Sequence, residues 1–448
     1  MSEIKIKRGG TINLKGKAQK QLSEAPFPSS FAIKPPDFHG VTPKLTVRQG
    51  DEVKAGDIIF FDKYNEKVKF ASPVSGEIAE IVRGAKRRIL EIKILPDKEI
   101  QHKKFDSIDI NTADAGKIKQ YILDAGLWPV IKQRPFDIIA NPDDTPRDIY
   151  ISAFNTEPLA ADYDFIVNGQ GDDFQKGLDA LAKLTNGKAN LNVSVHTKAP
   201  EFLNAKNVQI NKFSGPHPAG NVGIQIHHLK PINKGETVWV ISPQDVILLG
   251  RLFNKNIFDA TRIIALAGSR VKNPQYVKTY IGAQISSIVN GNETEGDIRY
   301  ISGGVLTGDK VEKEGYLGFY HSSVTIIPEG HKQRFLGWML PSTDRFSFSR
   351  TFCSWLTPNK EYDLDTNLNG EERAFVVSGQ YEQFIPMDIY PVHLLKACII
   401  QDVEQMENLG IYEVAPEDFS LAEFACTSKI NSQSIIREAL DLVKKECS

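Results

Sequence analysis

A histidine held in a rigid turn is the group in this chain with the clearest capacity for chemistry. The string SGPHPAG (214–220) places His217 between two prolines and two glycines, and Pro218 directly after it restricts the backbone of the turn. An imidazole held in this way could donate a hydrogen bond to a carbonyl oxygen or take up a proton. The alternative is that the turn serves the fold or docks a neighbouring protein, with the histidine bonded to the backbone.

A second pair of histidines and a pair of basic residues offer weaker possibilities. His227 and His228 are adjacent in what reads as a strand. Their side chains should then point to opposite faces, which is poor geometry for one metal ion, and we predict no metal site here. Lys132 and Arg134 lie near apolar residues and could line the mouth of a ligand site, although such residues more often lie at an interface between domains.

Three further motifs are incomplete versions of known sites. Gly169-Gln170-Gly171 follows the predicted strand DFIVN, but a Gly-x-Gly pair without a third glycine is a weak phosphate-binding signal. Residues 365–370 match the first half of an EF-hand loop, yet Val376 stands where the bidentate glutamate is required. The four cysteines are far apart in the sequence and form no CxxC pair, which argues against both a metal knuckle and a disulfide framework.

Composition narrows the class of protein. A formal net charge of -2 gives no reason to expect nucleic acid or an anionic membrane as a partner. The longest apolar runs fall far short of the roughly 20 residues that a membrane-spanning helix needs, and the N-terminus has no apolar segment typical of a secretory signal. We therefore expect a cytoplasmic protein whose contact with a membrane comes through its partners.

The chain is too long for one hydrophobic core and is predicted to be a multidomain α+β protein. Its four predicted parts are a barrel-sandwich at residues 1–100, a Rossmann-like α/β domain at 101–257, a small ubiquitin-like (SLBB-type) domain at 258–330, and a connector with a C-terminal helical domain at 331–448. The first part is similar to biotinyl and lipoyl carrier domains. Its hairpin at 62–67 lacks the lysine setting that carries those cofactors, so no carrier function is expected.

The α/β part must position both the His217 turn and the basic pair. Its strand patterns alternate with helical ones, which predicts a mainly parallel sheet covered by helices. One predicted helix is capped by Asp172 or Asp173, and another covers Gln244–Phe253. The predicted strands are IYISAF, LNVSVH, NVQINKF and ETVWVI.

Several longer strings resemble one protein family along essentially the whole chain. These strings are GLWPVIKQRPF (126–136), NTEPLAAD (155–162), SGPHPAGNVGIQIHHL (214–229), ALAGSRVKNP (265–274), ISGGVLTG (301–308) and YEQFIPMDIYP (381–391). They are similar to the A subunit of the sodium-translocating NADH:quinone reductase, and SGPHPAG and GLWP are specific rather than compositional. That family is related to the flavin-binding, NADH-oxidising subunit of respiratory complex I and to the C subunit of the Rnf complex.

This resemblance implies a peripheral subunit on the cytoplasmic side of a bacterial inner membrane. The complex would oxidise NADH, reduce quinone and export Na+. The implied partners are the B to F subunits, most directly the membrane-embedded B subunit, together with quinone. FMN, FAD, riboflavin and iron–sulfur centres would belong to those partners, and none is expected on this chain.

The sequence differs from the related subunits in two places, and for this reason we expect this chain to hold no redox cofactor. The relatives bind flavin and NADH on a glycine-rich loop, but the matching place here reads Gly126-Leu127-Trp128-Pro129, which would block such a cradle. The relatives also hold clusters with closely spaced cysteines, whereas Cys426 is followed by threonine, serine and lysine. The alternative hypothesis is an FMN- and NADH-binding dehydrogenase subunit like that of complex I.

The resemblance gives the His217 turn a specific prediction. His217 and Pro218, with Lys132 and Arg134, are predicted to contact the quinone head group, and no catalytic residue is predicted. The C-terminal helices and the aromatic residues of the connector are predicted to dock on the membrane-embedded partner, with burial inside the chain as the alternative. These aromatic residues are Phe335, Trp338, Phe346, Phe348, Phe352 and Trp355.

Overall fold

The computed structural model describes residues 3–331, 335–337, 340 and 342–447. The strands of these residues are β1 (Glu3–Lys5), β2 (Gln19–Glu24), β3 (Phe31–Ile33), β4 (Pro43–Leu45), β5 (Glu52–Val53), β6 (Ile58–Asp62), β7 (Asn65–Ala71), β8 (Gly76–Arg83), β9 (Ile89–Pro96), β10 (Lys132–Arg134), β11 (Ile138–Ile139), β12 (Ile149–Ser152), β13 (Ala189–Ser194), β14 (Gln209–Ser214), β15 (Val238–Ile241), β16 (Thr261–Ala267), β17 (Gln275–Tyr280), β18 (Ile298–Ser302), β19 (Asp309–Val311) and β20 (Ser323–Pro328). The helices are α1 (Ala115–Asp124), α2 (Tyr163–Val167), α3 (Gly171–Ala182), α4 (Pro200–Leu203), α5 (Val222–Leu229), α6 (Pro243–Lys255), α7 (Ile285–Val289), α8 (Tyr381–Phe384), α9 (Pro391–Ile399), α10 (Val403–Asn408), α11 (Ser420–Ala425) and α12 (Ser432–Cys447).

The N-terminal part contains two small sheets that share one core. One sheet has the order β3-β9-β8-β5 and the other the order β4-β6-β7. Aromatic rings fill the core, where Phe60 and Phe70 stack with centroids 4.2 Å apart and Phe38 lies 4.5 Å from Phe70. The hairpin between β6 and β7 turns at Lys63-Tyr64, and Tyr64 is 78% exposed. The predicted barrel-sandwich is confirmed.

The second part is a seven-stranded sheet in the order β1-β14-β13-β12-β15-β10-β11. The strands from β1 to β15 in this order run parallel, while β10 and β11 pair antiparallel at one edge. Within 101–257 the parallel strands start at β12, add β13 and β14 on one side, and then place β15 on the other side of β12. This reversal leaves a crevice at the carboxyl ends of β12 and β15, which is where ligands bind in open α/β sheets. The predicted α/β domain with a mainly parallel sheet is confirmed.

Helices α3 and α6 pack against each other beside this sheet through glycines. A Cβ atom at Gly250 would lie 1.6 Å from the carbonyl oxygen of Asp173, and one at Gly177 would lie 2.1 Å from that of Val246. The two helix backbones can therefore approach more closely than any larger residue would allow. This close packing holds the N-terminus of α6 at the crevice.

Two local predictions in this part are wrong. The string DFIVN is not a strand but part of α2, because the side chain of Asp162 accepts a hydrogen bond from the amide of Asp164 at 2.9 Å and caps the helix. Helix α3 begins at Gly171, so Asp172 and Asp173 lie in its first turn rather than at its cap. Their charge still favours the helix there, because the amide groups of a first turn carry partial positive charge.

The third part is a six-stranded sheet in the order β19-β18-β20-β16-β17-β2. Its strands from β16 to β20 fall in the predicted ubiquitin-like domain, whereas β2 comes from the N-terminal region and pairs in parallel with β17. Strand β1 in turn pairs with β14 of the α/β sheet. Residues 3–24 therefore connect the second and third parts before the chain enters the barrel-sandwich.

The last part is helical, as predicted. Helices α9 and α12 enclose a second core that includes Leu394, Leu395, Ile436 and Leu440. None of the helices in the described part of the chain is both long and apolar enough to cross a membrane.

Candidate functional site

A cavity of about 210 Å³ lies at the crevice of the α/β sheet. It is lined by Ser152 at the end of β12, by Ser242 just after β15, and by His217 in the turn after β14. Lys132 and Arg134 of β10 line it as well. Residues that follow three different strands meet here because parallel strands end at the same edge of a sheet.

Three of the four residues predicted to form a site lie together in this cavity. Lys132, Arg134 and His217 all line it, although the basic pair is far from the histidine in the sequence. Pro218 is buried and is not among the described residues that line the cavity. Its ring lies instead beside Gly9, where a Cβ atom would be 3.2 Å from Pro218 Cδ. Contact of any of these residues with a quinone stays a prediction.

The imidazole of His217 is buried, with 2% of the residue exposed. Its Nδ1 lies 3.2 Å from Thr156 Oγ1, while its Nε2 has no hydrogen-bond partner among the described residues. Burial lowers the pKa of His217 to about 4, because the imidazolium ion would lose its hydration. At neutral pH the imidazole beside the cavity is therefore uncharged, and its Nε2 is buried without a partner among the described residues.

Arg134 joins the cavity to the C-terminal helices through a buried ion cluster. Its Nη1 lies 3.1 Å from Asp418 Oδ2 and its Nη2 lies 2.5 Å from Glu417 Oε1, with Arg134 1% and Asp418 0% exposed. Burial opposes the charge, but the two carboxylates outweigh it and raise the pKa of Arg134. Gly223 of α5 permits this packing, since a Cβ atom there would lie 2.5 Å from Asp418 Oδ2.

Lys132 is paired as well. Its Nζ lies 2.9 Å from Asp137 Oδ1 and 5.0 Å from the centre of the Tyr320 ring. Burial would raise the pKa of Asp137, but Lys132 and Arg134 lower it below its ordinary range. The Tyr320 hydroxyl donates a hydrogen bond to the carbonyl oxygen of Pro129 at 2.7 Å, which fixes the ring beside the ammonium group.

Sequence reasoning missed the acidic residues that line the same cavity. Glu157 Oε1 accepts hydrogen bonds from the amides of Leu306 at 2.9 Å and Thr307 at 3.3 Å, and burial raises the pKa of Glu157. Asp245 forms a buried ion pair with Arg262. The string NTEPLAAD contained Glu157 but gave it no role, and no local pattern relates Asp245 to Arg262.

The lining carries charged side chains of both signs among apolar ones, and its cations are compensated. Among the described residues that line the cavity, Lys132 is paired with Asp137 and Arg134 with Glu417. Such a lining presents no free cation to a phosphate group and favours an uncharged ligand that can form hydrogen bonds. Among the described residues of the lining, two buried side-chain nitrogens have no hydrogen-bond partner, Nε2 of His217 and Nε of Arg134.

Two glycine-containing segments are held by hydrogen bonds within the chain. Trp128 is fully buried, and its Nε1 donates a hydrogen bond to the carbonyl oxygen of Ala140 at 2.6 Å. The amide of Gly169 donates to Glu201 Oε1 at 3.3 Å. The first segment is thus part of the core, and the second has a carboxylate where a phosphate would need positive charge.

His227 and His228 lie in helix α5, so the prediction that they occupy a strand is wrong. The apolar residues of GIQIHHL alternate as in a strand, but the segment forms a helix that begins after the preceding turn. His227 Nδ1 lies 2.7 Å from Glu413 Oε2, and His228 Nε2 lies 2.9 Å from the carbonyl oxygen of Pro386, so both rings dock α5 on the C-terminal part. Within the described ranges, no group of three or more His, Cys, Asp or Glu residues could hold a metal ion.

The aromatic residues of the connector divide into two sets. Phe346 and Phe348 pack edge to face with centroids 4.9 Å apart and join the core of the helical part. Phe335 and Trp355 are 88% and 52% exposed. Trp338 lies outside the described residues. Phe352 is half-buried and falls between the two sets. Burial therefore accounts for Phe346 and Phe348, and docking by the exposed residues stays a prediction.

The order of barrel-sandwich, parallel α/β domain, small β-rich domain and helical C-terminal part defines a multidomain α+β protein with a ligand-sized cavity at its α/β crevice. Family models match three of these parts: the NqrA N-terminal barrel-sandwich hybrid domain over residues 4–97, the NqrA second alpha/beta domain over 113–257, and the NQRA C-terminal domain over 263–313. The chain belongs to the NqrA family, the A subunits of Na(+)-translocating NADH-quinone reductase.

Relatives in this family are similar over their full length. The A subunit from Neisseria meningitidis serogroup A is 35% identical over 446 residues, which are 99% of this chain and 100% of the relative. Those of Shewanella denitrificans and Yersinia pestis bv. Antiqua are each 36% identical, again over 99% of this chain and 100% of the relative. The family predicted from the sequence strings is confirmed.

Proposed function

We propose that this chain is a peripheral subunit of a Na+-translocating NADH:quinone reductase and that it helps to bind the quinone head group without carrying a redox cofactor. The complex oxidises NADH, reduces quinone and exports Na+, while the isolated chain catalyses none of these steps. Membership of the family over the full length supports the assignment to the complex. The cavity beside His217 is the observation that carries the quinone assignment.

A quinone head group suits the cavity in charge, size and hydrogen bonding. It is uncharged, and the two cationic side chains of the lining, Lys132 and Arg134, are already paired with carboxylates. The cavity volume of about 210 Å³ is many times the roughly 10–15 Å³ that one water molecule needs, so the cavity has room for a single ring. The free Nε2 of His217 can bond to a quinone carbonyl oxygen.

The proposal places flavin, NADH and iron–sulfur centres outside this chain. Trp128 fills the core where related subunits have a glycine-rich loop, and Glu201 opposes phosphate at the second glycine segment. Cys398 and Cys426 are buried and unbridged, and in the sequence neither has a second cysteine near it to share a cluster. The alternative, an FMN- and NADH-binding dehydrogenase subunit, has no comparable observation in its favour.

The redox centres then reside in the partner B to F subunits, on FMN, FAD, riboflavin and iron–sulfur groups. The chain would lie on the cytoplasmic side of the membrane and dock on the membrane-embedded B subunit. The exposed connector residues Phe335, Trp355 and Leu356, which are 88%, 52% and 60% exposed, form the proposed docking surface, because aromatic residues are enriched at such interfaces.

Binding of a soluble benzoquinone analogue to the purified full chain tests the quinone assignment. We expect saturable binding near one molecule per chain, weakened at least about tenfold by His217→Ala, which corresponds to about 1.4 kcal/mol. His196→Ala is the matched control, because His196 is exposed in the loop after β13 and its removal should leave the affinity unchanged. No saturable binding by the unsubstituted chain, or equal weakening by both substitutions, would contradict the proposal.

A further inference from the structure

The hydroxyl of Thr156 lies between the His217 ring and the backbone of the turn before α5. Thr156 Oγ1 is 2.9 Å from the amide nitrogen of Gly220 and 3.2 Å from His217 Nδ1. An amide N–H can only donate, so Thr156 accepts the bond from Gly220. Its own single proton is then left to donate, and Nδ1 of His217 is its acceptor among the described residues.

This arrangement decides which nitrogen of the neutral ring carries the proton. If Thr156 donates to Nδ1, then Nδ1 is the bare nitrogen and the proton sits on Nε2. The opposite tautomer would direct two donors at Thr156 Oγ1 and would leave the hydroxyl proton without an acceptor in the described structure. The Nε2–H form leaves one polar group, the Nε2–H itself, without a partner among the described residues, whereas the opposite tautomer leaves two, the Thr156 hydroxyl proton and the bare Nε2. The Nε2–H form is therefore favoured.

Gly220, whose N–H donates to Thr156, is also fixed by hydrogen bonds to its carbonyl oxygen. The carbonyl oxygen of Gly220 accepts hydrogen bonds from Ser152 Oγ at 3.0 Å and from Gln225 Nε2 at 3.3 Å. Gln225 is fully buried, and its Oε1 accepts a bond from Asn192 Nδ2 at 2.9 Å. A Cβ atom at Gly220 would lie 2.5 Å from the amide nitrogen of Thr156. The turn is therefore packed directly on Thr156 and cannot easily offer it a different partner.

We propose that Thr156 is a positioning residue that fixes His217 as its Nε2–H tautomer, so that the cavity presents an N–H donor to a carbonyl oxygen of its ligand. The identity of that ligand rests on the proposed quinone site, whereas the tautomer is a property of this chain alone. An oxidised quinone has two carbonyl acceptors and no donor. A fixed N–H donor at Nε2 matches either of these two acceptors.

The tautomer can be read directly by nitrogen NMR of the full chain labelled with 15N in histidine at neutral pH, since protonated and bare ring nitrogens have separate chemical shifts. The signals are assigned with His217→Gln. We expect Nε2–H in the unsubstituted chain and in Thr156→Ser, which keeps the hydroxyl. Thr156→Val keeps the shape without the hydroxyl and should give a mixture or the Nδ1–H form. An Nδ1–H tautomer in the unsubstituted chain, or an unchanged tautomer in the valine variant, would overturn the proposal.

Binding of the benzoquinone analogue by the same variants separates this inference from the proposed function. We expect about tenfold weaker binding by Thr156→Val and unchanged binding by Thr156→Ser, with thermal unfolding midpoints confirming that both variants fold. If the tautomer responds as expected but the unsubstituted chain binds no quinone, the ligand is wrong and the positioning role of Thr156 is supported. If the valine variant binds quinone as tightly as the unsubstituted chain, the positioning role is overturned and the quinone site stands.

Discussion

Replacement of Arg134 by leucine is expected to lower the free energy of unfolding by roughly 3–5 kcal/mol. The substitution removes the guanidinium that faces Asp418, whose side chain is 0% exposed, and it leaves that carboxylate buried without its counter-charge. Glu417 is 40% exposed and can turn towards water, so most of the loss should come from Asp418. Because the cluster joins β10 to the segment before α11, the helical part should also become more susceptible to proteolysis.

Chemical denaturation followed by tryptophan fluorescence measures this loss. Arg270→Leu is the matched control, because Arg270 and Asp363 form a pair at 3.0 Å with side chains 31% and 33% exposed, and the loss of an exposed pair costs less than about 1 kcal/mol. Combining Arg134→Met with Asp418→Leu should recover part of the lost stability, since the pair is then removed together. Equal, small effects of Arg134→Leu and Arg270→Leu would contradict the buried cluster.

Acidification is expected to destabilise the chain through His217 by up to about 3 kcal/mol as the pH falls from 6.5 to 4. Burial lowers the pKa of His217 from 6.5 to about 4, so in this interval the unfolded chain takes up a proton that the folded chain does not. This contribution to stability is complete above the unfolded pKa and is lost as the pH falls towards the folded one. The free energy of unfolding falls with the pH because the buried site favours the neutral imidazole over the imidazolium ion.

The free energy of unfolding measured at several pH values, for the unsubstituted chain and for His217→Gln, checks this expectation. The glutamine variant should be less sensitive to acid between pH 6.5 and 4. Part of the sensitivity should remain, because burial also lowers the pKa of His321 to about 4. Identical pH profiles for the two proteins would show that His217 is protonated in the folded chain as readily as in the unfolded one.

The arrangement of the candidate site could be predicted in part from the sequence. His217 was recognisable because prolines and glycines hold it in a turn, and alternating strands and helices predicted the parallel sheet that carries the turn. Lys132 and Arg134 were recognisable only as basic residues near apolar ones. Thr156 and Glu157 were not recognisable, since their roles depend on the loop after β12 approaching the turn after β14, and no local pattern encodes that approach.

The wrong local predictions concern short segments whose apolar residues are typical of a strand but which form a helix in the structure. DFIVN is a short apolar run and GIQIHHL alternates in part, both of which are typical of strands, yet each follows a turn that starts a helix. The pairing of β1 and β2 with two sheets distant in sequence had no local signal either. Periodicity describes which faces of a segment are apolar, whereas capping and long-range pairing decide which element those faces form.

The most direct test of the central claim is Na+-dependent quinone reduction by the complex assembled with and without this chain, with oxidation of NADH by an artificial electron acceptor measured alongside. The chain is proposed to shape the quinone site and to carry no redox cofactor. Its omission should therefore abolish quinone reduction and leave NADH oxidation intact, and the purified chain should show no flavin absorption. Quinone reduction that continues without the chain, or NADH oxidation that is lost together with bound flavin, would contradict the claim.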